Sequence, residues 1–175
     1  MKLFVNSMGN LTKNFDQKEF VHSDNHPELA ARIRITPLDE YKFYLLSLLI
    51  LQPVRNYMEC AMKITNGKRD EALNTAAGGV KTSEHLYGLY TGAVDFVFSV
   101  DSAVENGRLL MVAFDFIEKQ LRGLFGQLIL EFDPQDKYPL CIHVSLPTVE
   151  HRNECLVRKG DKKTFLTYKD WTFFK

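Results

Sequence analysis

Apolar residues recur at helical intervals in two stretches of the chain. In the first, Leu38, Tyr41, Leu45, Leu48, Leu49 and Gln52 keep a three-four spacing that predicts a long, mostly buried helix. Thr36 can cap its start, Pro37 suits the first helical position, and Asp39 and Glu40 favour the positive end of the helix dipole. Pro53 should interrupt it, because proline lacks the N–H owed to the carbonyl of Leu49. In the second stretch, Leu109, Val112, Ala113, Phe116, Ile117 and Leu121 form an apolar stripe. Its start is open: Ser102 with Glu105 offers a capping box, while Asn106–Gly107 argues for a later beginning. Short helices are expected at Gln17–Val21 and Asp70–Ala77, the latter stopping at Gly78–Gly79.

Strand signals dominate the second half. Ala93–Val100 is rich in Val and Phe, and Gln127–Phe132 and Leu140–Leu146 are joined by the turn-rich DPQDKYP. Cys155–Arg158 and Thr164–Tyr168 alternate weakly and are expected as edge strands. Helices first and hairpin-linked strands later predict an α+β class: one domain over 1–175, with an antiparallel sheet flanked by helices. No repeat, low-complexity tract or Gly/Ser linker divides the chain. Side-chain parity places Cys141, His143 and Ser145 on one strand face and Gln127, Ile129 and Glu131 on one face of the other. If these strands pair, Glu131 and His143 look into the same cleft.

Composition narrows the partners. The chain is 45% hydrophobic, with 22 basic and 22 acidic residues and no net charge, so bulk positive charge does not hold it to nucleic acid. The longest apolar stretch, Tyr44–Leu51, is too short to cross a membrane, so no membrane insertion is expected. The opening MKLFVNSMGN lacks the sustained apolar region of a secretory signal. Cys60, Cys141 and Cys155 are scattered and read as reduced thiols, which fits a cytoplasmic setting.

Three residues stand out chemically: His85 in SEHLYG, Asp95 in GAVDF and His143 in CIHVS. Two imidazoles and one carboxylate can hold a catalytic zinc ion and leave a coordination position open. Asp95 is the sharpest anomaly, since an unpaired carboxylate buried in a Val/Phe strand costs on the order of several kcal/mol. It needs a cation, donors or solvent. Residue types alone leave a metal site and an ordinary polar cluster both open, because no HExxH-type helix accompanies them.

The phrases around these residues carry more. NFDQKEFVHSD, LQPVRNYM, ITNGKRDEALNTAAGG, SEHLYGLYTGAVDF, GQLILEF and CIHVS follow one another in an order that resembles the zinc D,D-peptidases of the peptidase M15 group, in its short phage and bacterial branch. The resemblance covers roughly residues 14–148 and leaves 149–175 as a C-terminal extension. It implies that His85, Asp95 and His143 hold Zn2+ and that Glu131, the Glu of the QLI-x-E phrase, is the general base for a metal-activated water. It further implies that Arg69 binds substrate carboxylate or stabilises the oxyanion, and that Ser83 contacts substrate or steadies the ligand loop. Asn74, Gly78 and Gly79 would shape the turn that delivers His85, whereas His22, His26 and His151 fall outside the pattern and are expected at the surface.

The chain departs from the family at three places. His85 and Asp95 lie ten positions apart, farther than usual, with the excess falling in LYTG. Cys141 stands where relatives carry Trp, and Leu140 stands where several relatives carry the catalytic acid. The implied activity is hydrolysis of peptide bonds in the stem peptides of bacterial peptidoglycan, as a D,D-carboxypeptidase or an endopeptidase. The implied setting is the cytoplasm of a bacterial host, or a phage virion, with a helper needed to reach the wall. Two rivals stand beside it: a non-catalytic binding or assembly protein of the same fold, and a domain in which zinc only staples the structure.

Overall fold

The computed structural model describes residues 9–160 and 165–167. The opening MKLFVNSM and the expected strand residues Thr164 and Tyr168 lie outside them. A 3-10 turn at Gln17–Val21 opens on a capping box between Asp16 and Glu19. Helix α1 (Pro27–Ala30) follows, then α2 (Pro37–Leu46), where Thr36 and Asp39 cap each other reciprocally. The interruption expected at Pro53 takes the form of a π-helical turn, Ser47–Leu51, leading directly into α3 (Gln52–Met58). Widening the preceding turn lets the chain pass a residue that has no N–H to donate.

The buried face of α2 differs from the one the spacing predicts. Phe43, Leu46 and Ile50 are fully buried, while Leu38, Tyr41 and Leu48 are exposed. Two interleaved apolar stripes compete in this segment, and polar pairing decides between them. Asp39 and Lys42 lie on the inward face, where Lys68 bonds Asp39 at 2.6 Å and Lys42 donates to the carbonyl of Gly88.

Strand β1 (Met62–Asn66) has no counterpart among the predicted elements; MKITN is too polar to announce itself as a strand. Helix α4 (Glu71–Ala76) is capped by the Asp70 side chain, and a 3-10 turn at Glu84–Leu86 leads to β2 (Ala93–Phe98). Helix α5 (Ala103–Gln120) starts from the Ser102 cap, so the earlier of the two starts is the real one. Gly107 sits inside it because a Cβ there would meet the Tyr138 side chain at 2.4 Å. The apolar stripe of α5 is also rotated from expectation: Leu110 and Phe114 are fully buried, and Val112 is exposed.

Strands β3 (Gln127–Phe132), β4 (Cys141–Ser145), β5 (Glu154–Lys159) and β6 (Phe165–Thr167) complete a six-stranded sheet ordered β1-β2-β4-β3-β5-β6. The fold is α+β, and every pairing is antiparallel except one: β5 runs parallel to β3. The reason is topological. Both flanks of β4 are occupied, by β2 and β3, so the chain reverses after β4 and lands on the far side of β3. The segment expected to add edge strands thus supplies β5 as an interior strand, with β6 outside it.

Alternation along β2, β3 and β4 divides the sheet into two faces. Val94, Phe96, Leu128, Leu130, Ile142 and Val144 are fully buried and form one core with Leu110, Ala113, Phe114 and Ile117 of α5. The opposite face carries Asp95, His143, Ile129, Glu131 and Cys141. All three cysteines are free thiols. Among the described residues, no helix is long and apolar enough to cross a membrane.

Candidate metal centre

The register of the sheet builds half of the site. Asp95 pairs with His143, and His143 pairs with Ile129, placing a carboxylate and an imidazole side by side on the polar face. His85 arrives from outside the sheet, on the Glu84–Leu86 turn. The turn before it is shaped as expected: Asn74 donates through Nδ2 to Val80 O at 2.9 Å, and Gly79 N–H donates to Asn74 O at 2.8 Å.

The ten-position separation of His85 and Asp95 does not displace the carboxylate. Residues 88–92 bulge outward, with Leu89 and Tyr90 66% and 76% exposed. The bulge is closed at its base by Tyr87, whose hydroxyl donates to Ala93 O at 3.0 Å, and is tied to α2 through Lys42 and Gly88.

His85, Asp95 and His143 are all buried, and each offers a donor atom within 4.8 Å of the other two. Asp95 Oδ1 lies 3.2 Å from His85 Nε2 and 2.8 Å from His143 Nδ1, and the two rings stand edge to face with centroids 5.0 Å apart. The donors are oriented from behind. His85 Nδ1 faces the carbonyl of Gly67 at 2.8 Å, so when that nitrogen carries the proton the Nε2 lone pair is free for an ion. Asn66 Nδ2 donates to Asp95 Oδ2 at 3.0 Å, leaving Oδ1 turned inward. A register shift between Ile64 and Asn66 puts Asn66 opposite Asp95. Gly67 is required by close approach: a Cβ would sit 2.3 Å from Phe20 O.

The electrostatics call for positive charge between these groups. Burial opposes the charge on Asp95, but His85 and His143 outweigh it and hold the carboxyl well below the usual carboxylate range. Burial likewise opposes an imidazolium at His143, yet hydrogen bonds to Asp95 and Glu84, with the charges of Asp95 and Glu131, push its pKa up to about 10. Two imidazoles, a carboxylate and oriented lone pairs fit a divalent metal ion.

The site lines a cleft of about 540 Å3. Arg69 and Ser83 both reach it, as do Glu131 and His143. Arg69 is largely buried and lies 3.9 Å from Asp95 Oδ2, so it is a cleft residue and not a surface charge. Ser83 precedes the 3-10 turn and its hydroxyl does not cap it. Glu131 is ion-paired with Arg158 of β5 and accepts a hydrogen bond from Cys141 Sγ at 3.5 Å. Burial and the charge of Asp95 raise its pKa above the ordinary value, against the lowering pull of Arg158, His143 and Cys141. The Cys141 thiol, pushed well up by burial and by Glu131, is a neighbour of Glu131 and not one of the clustered donors.

Four cleft residues escape the sequence reading. His26 and His151, expected at the surface, line the cleft, and His151 Nδ1 lies 2.9 Å from Glu154 Oε2. Arg158 comes from the parallel strand, whose pairing no local pattern reveals. Glu84 is buried, with Oε2 3.5 Å from His143 Nε2. A charged residue next to a candidate ligand looks like solvent-facing charge; the position of Glu84 on a tight turn that buries His85 was the available signal.

A family model described as Peptidase M15 matches residues 13–113, more than half of the chain. No curated protein and no solved structure matches.

Proposed function

The chain belongs to the peptidase M15 family, and from that premise we propose that it is a zinc-dependent metallopeptidase cleaving peptide bonds in the stem peptides of bacterial peptidoglycan, by D,D-carboxypeptidase or endopeptidase action. The observation that carries this reading is the convergence of His85, Asp95 and His143 on one point of a polar cleft. A zinc ion held there supplies Lewis acidity, polarising a carbonyl and lowering the pKa of water.

The chain's own groups do the rest. Glu131, on the same sheet face as His143 and raised in pKa, takes the proton of the attacking water and returns it to the leaving amine. Its place on β3 substitutes for the acid that position 140 lacks. Arg69 holds a substrate carboxylate or the developing oxyanion by charge-assisted hydrogen bonds, and Ser83 offers a hydroxyl at the cleft wall. The enzyme would act from within a bacterial cell or a phage particle, delivered to the wall by a helper.

One observation favours the rival, a binding or assembly protein without turnover: Arg158 already occupies Glu131. Turnover decides. Purified protein incubated with peptidoglycan should release new amino groups, and Glu131→Gln should abolish release while retaining zinc. Zinc-loaded protein that releases none from any peptidoglycan tested would establish the rival.

A further inference from the structure

Each presumed ligand has a partner behind it, and the three partners differ in kind. Asp95 Oδ2 accepts from the Asn66 amide, with Arg69 3.9 Å away, and His85 Nδ1 faces the Gly67 carbonyl. Behind His143 stands Glu84, a carboxylate. We propose that Glu84 is a positioning residue for the metal centre: it accepts the Nε2–H of His143, fixes the tautomer whose Nδ1 lone pair faces the ion, and raises that nitrogen's strength as a ligand. The inference rests on the metal-site reading above and deepens it.

The geometry supports this assignment. His143 turns Nδ1 toward Asp95 Oδ1 at 2.8 Å, so the ring's other nitrogen points away from the cluster. That nitrogen lies 3.5 Å from Glu84 Oε2. Ligation through Nδ1 obliges the remaining proton to sit on Nε2, where Glu84 meets it. A carboxylate behind a ligating histidine is a strong form of such support, because the hydrogen bond is charge-assisted.

Glu84 is also hard to explain as scaffolding. It is 8% exposed, and its Oε1 is buried without a hydrogen-bond partner among the described residues. Burying a carboxylate with an orphaned oxygen works against folding. Local rules broken in this way concentrate at functional sites. The adjacency of Glu84 to His85 couples the two histidines: one turn of 3-10 helix supplies a ligand to the ion and the acceptor that orients the other ligand.

The test compares the full-length parent with Glu84→Ala and Glu84→Gln in competition for Zn2+ against a chromophoric chelator, alongside the thermal midpoint of each metal-free protein. The Ala variant should bind Zn2+ about 10- to 100-fold more weakly, and Gln, which keeps an acceptor oxygen but not the charge, should recover part of the loss. The metal-free Ala variant should lose far less in its melting midpoint than in Zn2+ affinity, whereas a structural role requires the two to fall together. Parent-like affinity in Glu84→Ala overturns the proposal, and so does a loss of affinity matched by a lowered metal-free midpoint. Ring 15N shifts of the zinc-loaded parent give a second reading that needs no variant: they should place the metal on Nδ1 of His143 and the proton on Nε2, and the reverse assignment overturns the proposal. A parent that takes up no Zn2+ fails the metal-site reading itself; a parent that binds tightly beside an equally tight Glu84→Ala fails Glu84 alone.

Discussion

The two faces of the same three strands do opposite things. Along β2, Asp95 points into the polar cleft while its neighbours Val94 and Phe96 are sealed against α5; along β4, His143 lies between Ile142 and Val144 in the same way. The helix-covered face is continuous hydrocarbon, stabilised by area removed from water. The cleft face gathers charged and titratable groups that oppose burial and are tolerated because they answer one another. A rigid core directly beneath holds the presumed ligands to their geometry. The candidate site is thus one pleat away from the core, and a single-residue slip in register would exchange the two.

Adjacent substitutions on opposite faces should break this comparison most visibly. Asp95→Asn should abolish zinc retention and cut peptidoglycan hydrolysis on the order of 10³-fold or more, several kcal/mol of transition-state stabilisation. Phe96→Ala, one position along, should instead cost about 3–5 kcal/mol of stability by denaturant titration. Zinc retained by Asp95→Asn, or lost from folded Phe96→Ala, would mean that the two faces are not divided in this way.

Next in size is Glu131→Gln, expected to lower turnover about 10²- to 10⁴-fold at unchanged zinc stoichiometry. A mutant as active as the parent would remove Glu131 from the mechanism. A smaller, signed effect tests its partner. Arg158 lowers the Glu131 pKa against burial and Asp95, which raise it. Glu131 must be ionised to accept a proton, so activity falls on the acid side as pH drops through its pKa. Removing Arg158 lets that pKa rise further, and the acid limb in Arg158→Met should therefore move to higher pH. An unmoved or down-shifted limb would detach the pair from the rate. The smallest effect belongs to the bulge: Tyr90→Ser should change stability by less than about 0.5 kcal/mol and leave zinc binding intact.

How much of this the sequence disclosed follows from the physics of each signal. The helix start at Thr36 was legible because a capping side chain is local to the turn it caps, whereas Ser102 was one of two open starts and Asp70 was read as part of the helix that it caps. His85, Asp95, His143, Glu131, Arg69 and Ser83 were legible as candidates through the phrases around them, and all of them line one cleft. The inward face of α2 was not, since the ion pair of Asp39 with Lys68 and the contact of Lys42 with Gly88 select it, and both are tertiary. Strand β1 was hidden by its own Lys, Thr and Asn, which bury little; Asn66 and Gly67 matter only once Asp95 and His85 are beside them. Arg158 depends on a parallel pairing formed across the sheet, and Glu84 on the far side of a ring fifty-nine positions away.

The most direct measurement of the central claim is an equilibrium zinc titration of the metal-free protein, with X-ray absorption at the zinc edge on the loaded form. One zinc per chain, with two imidazoles and one carboxylate at about 2.0–2.2 Å and binding lost in His143→Ala, is the expected result. Zinc absent from the parent, or held as tightly after His143→Ala, would contradict it.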